Sequence, residues 1–167
     1  MRAGHIAIPF QAHNSRPGSS PADAARSGVG RTDQGRLAPR SDTLPGMSFK
    51  RPELALLEGA EEVDIETQPP SGPAHRATIW IVVDGDSAYV RSVRGKEGRW
   101  YKELGANPAG ALHVDGRRIP VTAVPATDPD SVERFNAALR RKYVGVSGYD
   151  SMLQPETFET TLRLEPA

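Results

Sequence analysis

From about residue 48 the apolar positions of this chain fall into recognisable registers. Pro52 suits the first turn of a helix, and Leu54, Leu56 and Leu57 give it an apolar side before Gly59 ends it. Glu62-Val-Asp-Ile-Glu-Thr67 alternates polar and apolar, which predicts a half-buried strand, and residues 68–73 (QPPSGP) form a loop. Ala77–Val83 is β-branched and aromatic with both faces apolar, so it predicts a central strand. Asp84-Gly85-Asp86 supplies a turn, and Ala88–Arg94 returns as an antiparallel strand. On that strand Tyr89, Arg91 and Val93 point one way and Val90, Ser92 and Arg94 the other.

Gly95–Gly98 reads as a charged, glycine-bounded loop, followed by a short helical turn at Arg99–Leu104 that Asn107-Pro108 stops. Ala111–Val114 and Arg117–Val124 form a hairpin across Asp115-Gly116, with Pro120 marking the second arm as an edge strand or a bulge. Asp128-Pro129 is a cap followed by a first-turn proline. Val132, Phe135, Leu139 and Tyr143 then recur at helical spacing, and Gly145 ends the helix. A short turn near Tyr149–Leu153 and a last strand at Thr160–Leu164, with Leu162 and Leu164 inward, complete the pattern. The expectation is a mainly β fold: about six antiparallel strands closed or split as a barrel, with one or two covering helices.

The stretch before this is different. Residues 1–46 hold scattered Gly, Pro, Ser and Arg and few large apolar side chains, so they are expected to be a disordered N-terminal arm, with the domain spanning 47–167 and Met47 as a second candidate start. The whole chain has 16 glycines, 15 prolines and no cysteine, which excludes disulfides, thiolate nucleophiles and cysteine-ligated metals. None of its four histidines sits in an HExxH arrangement, and no metal site is expected. Lys plus Arg and Asp plus Glu are 21 each, so no global basic field draws nucleic acid, and any anion must be held by local arginines. No apolar run approaches the roughly 20 residues of a membrane span, and no signal-peptide core is evident, so a cytoplasmic location is expected by default.

The candidate chemistry concentrates in Tyr89-Val-Arg-Ser-Val-Arg-Gly95. Guanidinium forks at Arg91 and Arg94, the Ser92 hydroxyl and backbone N–H groups at Gly95 are the parts of an oxyanion cradle. The alternative is surface arginines paired with Glu62, Asp64 or Glu66, and spacing alone does not choose. Trp80 is either core or the wall of a flat ligand's site. Trp100 and Tyr101 are adjacent in a short helix, so one of them is free to line a pocket or a subunit interface. His75 and Arg76 precede the central strand, where a donor could reach an anion across the strand ends. His113 has no evident catalytic partner, and Lys102 and Glu103 read as solvent-facing partners. No GxSxG elbow, GxGxxG or P-loop is present.

Thr78-Ile-Trp-Ile-Val-Val83, Ala88-Tyr-Val-Arg-Ser-Val-Arg-Gly95 and Gly98-Arg-Trp-Tyr101 together resemble the DUF2255 family over roughly Leu54 to Leu164. The same region is similar, more distantly, to deazaflavin-dependent nitroreductases and pyridoxamine-phosphate-oxidase-like flavin-binding proteins. Ser92–Gly95, Trp100-Tyr101 and Leu104-Gly-Ala-Asn-Pro108 carry that likeness. The resemblance implies a split barrel that binds FMN or a deazaflavin such as F420 as a homodimer. Arg76, Arg91, Ser92, Arg94 and Gly95 would hold phosphate, and Trp80, Trp100 and Tyr101 would lie near the ring. The deazaflavin group has a Gly-, Arg- and Ser-rich turn before its central strand. Ser71-Gly-Pro-Ala-His-Arg76 departs from that turn. A split barrel that has lost its cofactor is the rival expectation.

Overall fold

The computed structural model describes residues 48–167; the expected arm at residues 1–46 and Met47 lie outside the described residues. The described chain builds seven strands: β1 (Val63–Thr67), β2 (His75–Ile79), β3 (Val82–Asp84), β4 (Ser87–Val90), β5 (Ala109–Val114), β6 (Arg117–Pro125) and β7 (Leu162–Pro166). Five helices accompany them: α1 (Arg51–Gly59), α2 (Arg99–Ala106), α3 (Pro129–Tyr143), α4 (Tyr149–Met152) and α5 (Pro155–Phe158). All strand pairs are antiparallel, in the order β2-β1-β5-β6-β7-β4-β3, and the sheet curls into a half-barrel. The expected mainly β split barrel is therefore the fold.

The run expected as one central strand is instead divided. β2 and β3 are the two opposite edges of the sheet, joined only by Trp80-Ile81. The unbroken apolar run carries the chain across the seam of the curl, which is why both of its faces are apolar. Leaving the ladder strands the backbone groups of Ile81, whose side chain is fully buried, and α3 satisfies them. The Ile81 N–H donates to Tyr143 Oη at 3.4 Å, and its carbonyl accepts from Lys142 Nζ at 2.8 Å. Lys142 Nζ also donates to Leu57 O at 2.9 Å at the end of α1, and burial pushes its ammonium pKa below the usual lysine range.

The β5–β6 hairpin turns on Asp115-Gly116, both at positive φ (47° and 71°), as a two-residue turn matched to strand twist requires. Pro120 lies on an interior strand, which corrects the edge-or-bulge expectation. Its carbonyl accepts from Ala167 N just past the last β6–β7 pair, Val121–Pro166, so its missing N–H removes no ladder bond. Asp128 caps α3 by accepting from Ser131 N at 2.9 Å.

Two apolar clusters result. Ile65, Leu112, Val121, Leu164 and Val90 fill the inside of the curl beneath α1 and α2. Phe135, Ala138, Leu139 and Tyr143 of α3 close over Val82, Tyr89 and Met152 on the other side of β3–β4. At about 1.5–3 kcal/mol per large apolar side chain, these clusters hold the sheet closed around its seam. The turn expected near Tyr149–Leu153 is the short helix α4, and a further short helix, α5, follows it. Among the described residues, no helix is long and apolar enough to cross a membrane, and no group of three or more His, Asp or Glu is placed to hold a metal.

Candidate functional site

β4 ends at Val90, and the next residues do not continue into solvent. Arg91 and Ser92 are each 1% exposed, buried where the chain leaves the sheet. Arg91 Nε donates to Thr161 Oγ1 at 2.8 Å, and Nη1 donates to Asn136 Oδ1 at 2.8 Å and to Met152 O at 2.9 Å. The guanidinium lies over Phe135 at 4.0 Å and Phe158 at 4.7 Å. Burial pushes its pKa down to about 10, so it stays cationic at neutral pH.

Every one of these partners is neutral. No carboxylate among the described residues pairs with Arg91, and Nη2 has no partner. The Ser92 hydroxyl, the adjacent side chain, is likewise buried and unpartnered. A buried cation is normally paired, and a buried hydroxyl is normally bonded. Arg91 and Ser92 are two such exceptions, and both residues line one cavity.

That cavity has a volume of about 480 Å³, within the size range of small-molecule sites. Ile79, Trp80, Trp100 and Met152 form its apolar walls. Arg91, Ser92, Arg94 and Arg99 supply donors, and His75 and Glu62 also reach its surface. Trp80 is held flat by stacking on Tyr143, with centroids 4.4 Å apart and planes 4° apart. Gly98 borders the same space. A Cβ there would sit 2.3 Å from Ser92 Oγ, so only glycine leaves the hydroxyl its position.

The structure thus brings together Trp80, Arg91, Ser92, Arg94 and Trp100 of the expected site residues. Arg94 is exposed. Arg91 has only one free nitrogen, so it cannot present the bidentate fork expected of it. Three further residues are placed differently. Arg76 does not line the pocket and pairs with Glu66 at 3.3 Å. The Gly95 amide is committed to Ser92 O at 3.0 Å. Tyr101 packs against the main core and donates to Glu159 O at 3.3 Å, leaving Trp100 as the pocket aromatic. Sequence reading missed the buried Asn136 and Thr161, and it missed Glu103. Glu103 is bonded to His75, Arg99 and Thr67 rather than facing solvent.

Several solved structures are similar to this chain, and the first two below, at TM-scores of 0.51 and 0.50, share its fold. A conserved hypothetical protein from Mycobacterium tuberculosis is 12% identical, with a TM-score of 0.51 over 76% of this chain and 85% of that one. The heme storage protein HutZ from Vibrio cholerae is 16% identical, with a TM-score of 0.50 over 70% and 89%. An F420-H2-dependent reductase is 15% identical, with a TM-score of 0.48 over 64% and 94%. No curated protein matches the sequence. A family of uncharacterized proteins conserved in bacteria, DUF2255, matches residues 53–164, nearly the span over which the motifs of the central run and its return strand resemble it. The chain is a member of the DUF2255 family, built on the split-barrel fold.

Proposed function

We propose that this chain binds a flat, phosphate-bearing redox cofactor, FMN or a deazaflavin, in the pocket between Trp80, Trp100 and Ser92, and serves in oxidoreduction. The observation that carries this reading is the buried, uncompensated Arg91 cation with Nη2 unpartnered, next to the unpartnered Ser92 hydroxyl. An anionic ligand would answer these deficits. Arg94 and Arg99 at the cavity surface add positive charge, and the stacked Trp80 offers a rigid face to a planar ring. When bound, such a cofactor supplies hydride or electron transfer. The residues of the chain bind the anionic end, orient the ring and exclude water from one side of it. A second copy of the chain would cover the rim at Val93, which is 49% exposed.

The rival is a split barrel that holds no cofactor and acts as a binding or structural module. Arg91 favours it, because two of its three nitrogens already serve the core. The experiment is purification followed by an absorbance spectrum and titration with FMN, FAD and a deazaflavin, with light scattering for the dimer. Binding near micromolar concentration supports the proposal; failure of all three to bind leaves the rival.

A further inference from the structure

The same pocket carries a second polar cluster that the proposed phosphate contacts do not use. His75 opens β2 and lines the pocket with its side chain 26% exposed. Its Nδ1 lies 3.1 Å from Glu103 Oε2, and Glu103 is 11% exposed on α2. The same Oε2 accepts from Thr67 Oγ1 at 2.5 Å, and Oε1 accepts from Arg99 Nε at 2.8 Å. Burial opposes charge on Glu103, but the bonds from Thr67, Arg99 and His75 outweigh it and hold the carboxyl below its usual range. An ionised carboxylate only accepts, so the hydrogen between the two groups belongs to His75 Nδ1. The tautomer is therefore fixed. Nε2, the other ring nitrogen, has no protein partner among the described residues and is left for the pocket.

We propose that His75 is the proton-transfer residue of this pocket and that Glu103 is its positioning residue; the proposal rests on the cofactor reading above. The logic is that of any imidazole oriented by a carboxylate. A reduced flavin or deazaflavin held here would supply a hydride to the carbon of a polarised C=O or C=N group in the substrate. The π pair would move onto the heteroatom, and His75, having first taken a solvent proton on the free Nε2, would pass that proton to it as the Nε2–H bond breaks. The imidazole keeps its Nδ1–H toward Glu103 throughout and returns to the neutral tautomer with Nε2 free. The ionisable groups around His75 are Arg99 and Glu103 from α2, with Glu62, Arg91 and Arg94 around the cavity; Thr67 from β1 adds a hydroxyl.

Histidine-labelled full-length protein tests this by long-range proton–nitrogen NMR. His113 is an internal contrast, because its Nε2 lies 2.8 Å from Glu66, which should hold it as the opposite tautomer. His75 is expected as Nδ1–H, and Glu103→Gln should release it into a mixture. Adding FMN should move the His75 Nε2 resonance and leave that of His113 in place. His75→Gln should keep FMN affinity within about twofold. It should slow reoxidation of the reduced FMN complex by trifluoroacetophenone, whose carbonyl carbon takes the hydride, at least ~100-fold, the lower range for a lost acid–base group. An Nε2–H tautomer in the free protein overturns the proposal, as does FMN binding with a silent His75. Failure of FMN, FAD and a deazaflavin all to bind removes the cofactor reading itself and this role with it, whatever the tautomer.

Discussion

Replacing Arg91 with Met keeps most of the side-chain volume and removes the charge, so it isolates what the guanidinium does for the fold. Two effects oppose one another. The substitution relieves a desolvated cation, a gain that in other proteins makes apolar replacement of buried ions neutral or favourable. It also cuts three charge-assisted hydrogen bonds, to Thr161, Asn136 and Met152, and two cation–π contacts. The acceptors left behind decide the balance. Thr161 Oγ1 still donates to Phe158 O at 2.8 Å, and Met152 O still accepts from Thr157 Oγ1 at 3.0 Å. Only Asn136 Oδ1, in a residue 5% exposed, loses its one protein partner. With charged bonds contributing about 1.5–3 kcal/mol each before the relief is subtracted, the expected net loss is about 2–4 kcal/mol.

Urea melts followed by the fluorescence of Trp80 and Trp100 measure this as a midpoint shift of roughly 1–2 M at an ordinary denaturant slope. An Arg91/Asn136 double-mutant cycle should show coupling of at least ~1 kcal/mol. A variant as stable as the wild type, with no coupling, would refute the network. Arg91 would then be a net burden on the fold, retained for its ligand alone. The expected loss also bears on ligand binding. Variants at Arg91 report on folding as well as on the cofactor, so the cleaner probe of the anion site is its neighbour.

Ser92→Ala removes a hydroxyl that bonds to nothing, so stability should stay within about 0.5 kcal/mol or rise, while FMN affinity falls about 3–10-fold by titration. Gly98→Ala forces a Cβ onto Ser92 Oγ and should destabilise by about 1–3 kcal/mol in the same urea assay, with part of the loss recovered in the Ser92→Ala background. Tyr143→Phe should remove about 1–3 kcal/mol and speed hydrogen exchange at the Ile81 amide, because Tyr143 Oη bridges that amide and Glu61 O across the seam. Glu66 is held at a pKa of about 2, first by the bond from Arg118 and then by that from His113. A depressed folded pKa stabilises above the unfolded value near 4.5 and loses that contribution as pH falls toward 2, so wild-type midpoints should drop more than those of Glu66→Gln over this window.

The elements that local rules govern were legible. Asp128 caps the helix it precedes, Asp115-Gly116 turns its hairpin, and Leu162 and Leu164 face inward. The misreadings share a cause in groups distant along the chain. Periodicity shows that Ala77–Val83 is extended and apolar, but the division at Ile81 depends on Lys142 and Tyr143, 61 and 62 residues away. The i,i+4 pair Arg99–Glu103 was visible in the spacing, whereas His75, 28 residues upstream, was what turned Glu103 inward.

The candidate site repeats this pattern, and the repetition is informative. Tyr-Val-Arg-Ser-Val-Arg-Gly names the donors, but which of them remain available depends on partners 45 to 70 residues downstream, on α3, on α4 and before β7. Those partners satisfy Nε and Nη1 of Arg91 and leave Nη2 and the adjacent hydroxyl without acceptors. An alanine in place of Ser92 would have spared the fold a buried hydroxyl. Two buried donors without acceptors, at consecutive residues that line one cavity, are what the proposed cofactor accounts for and packing alone does not.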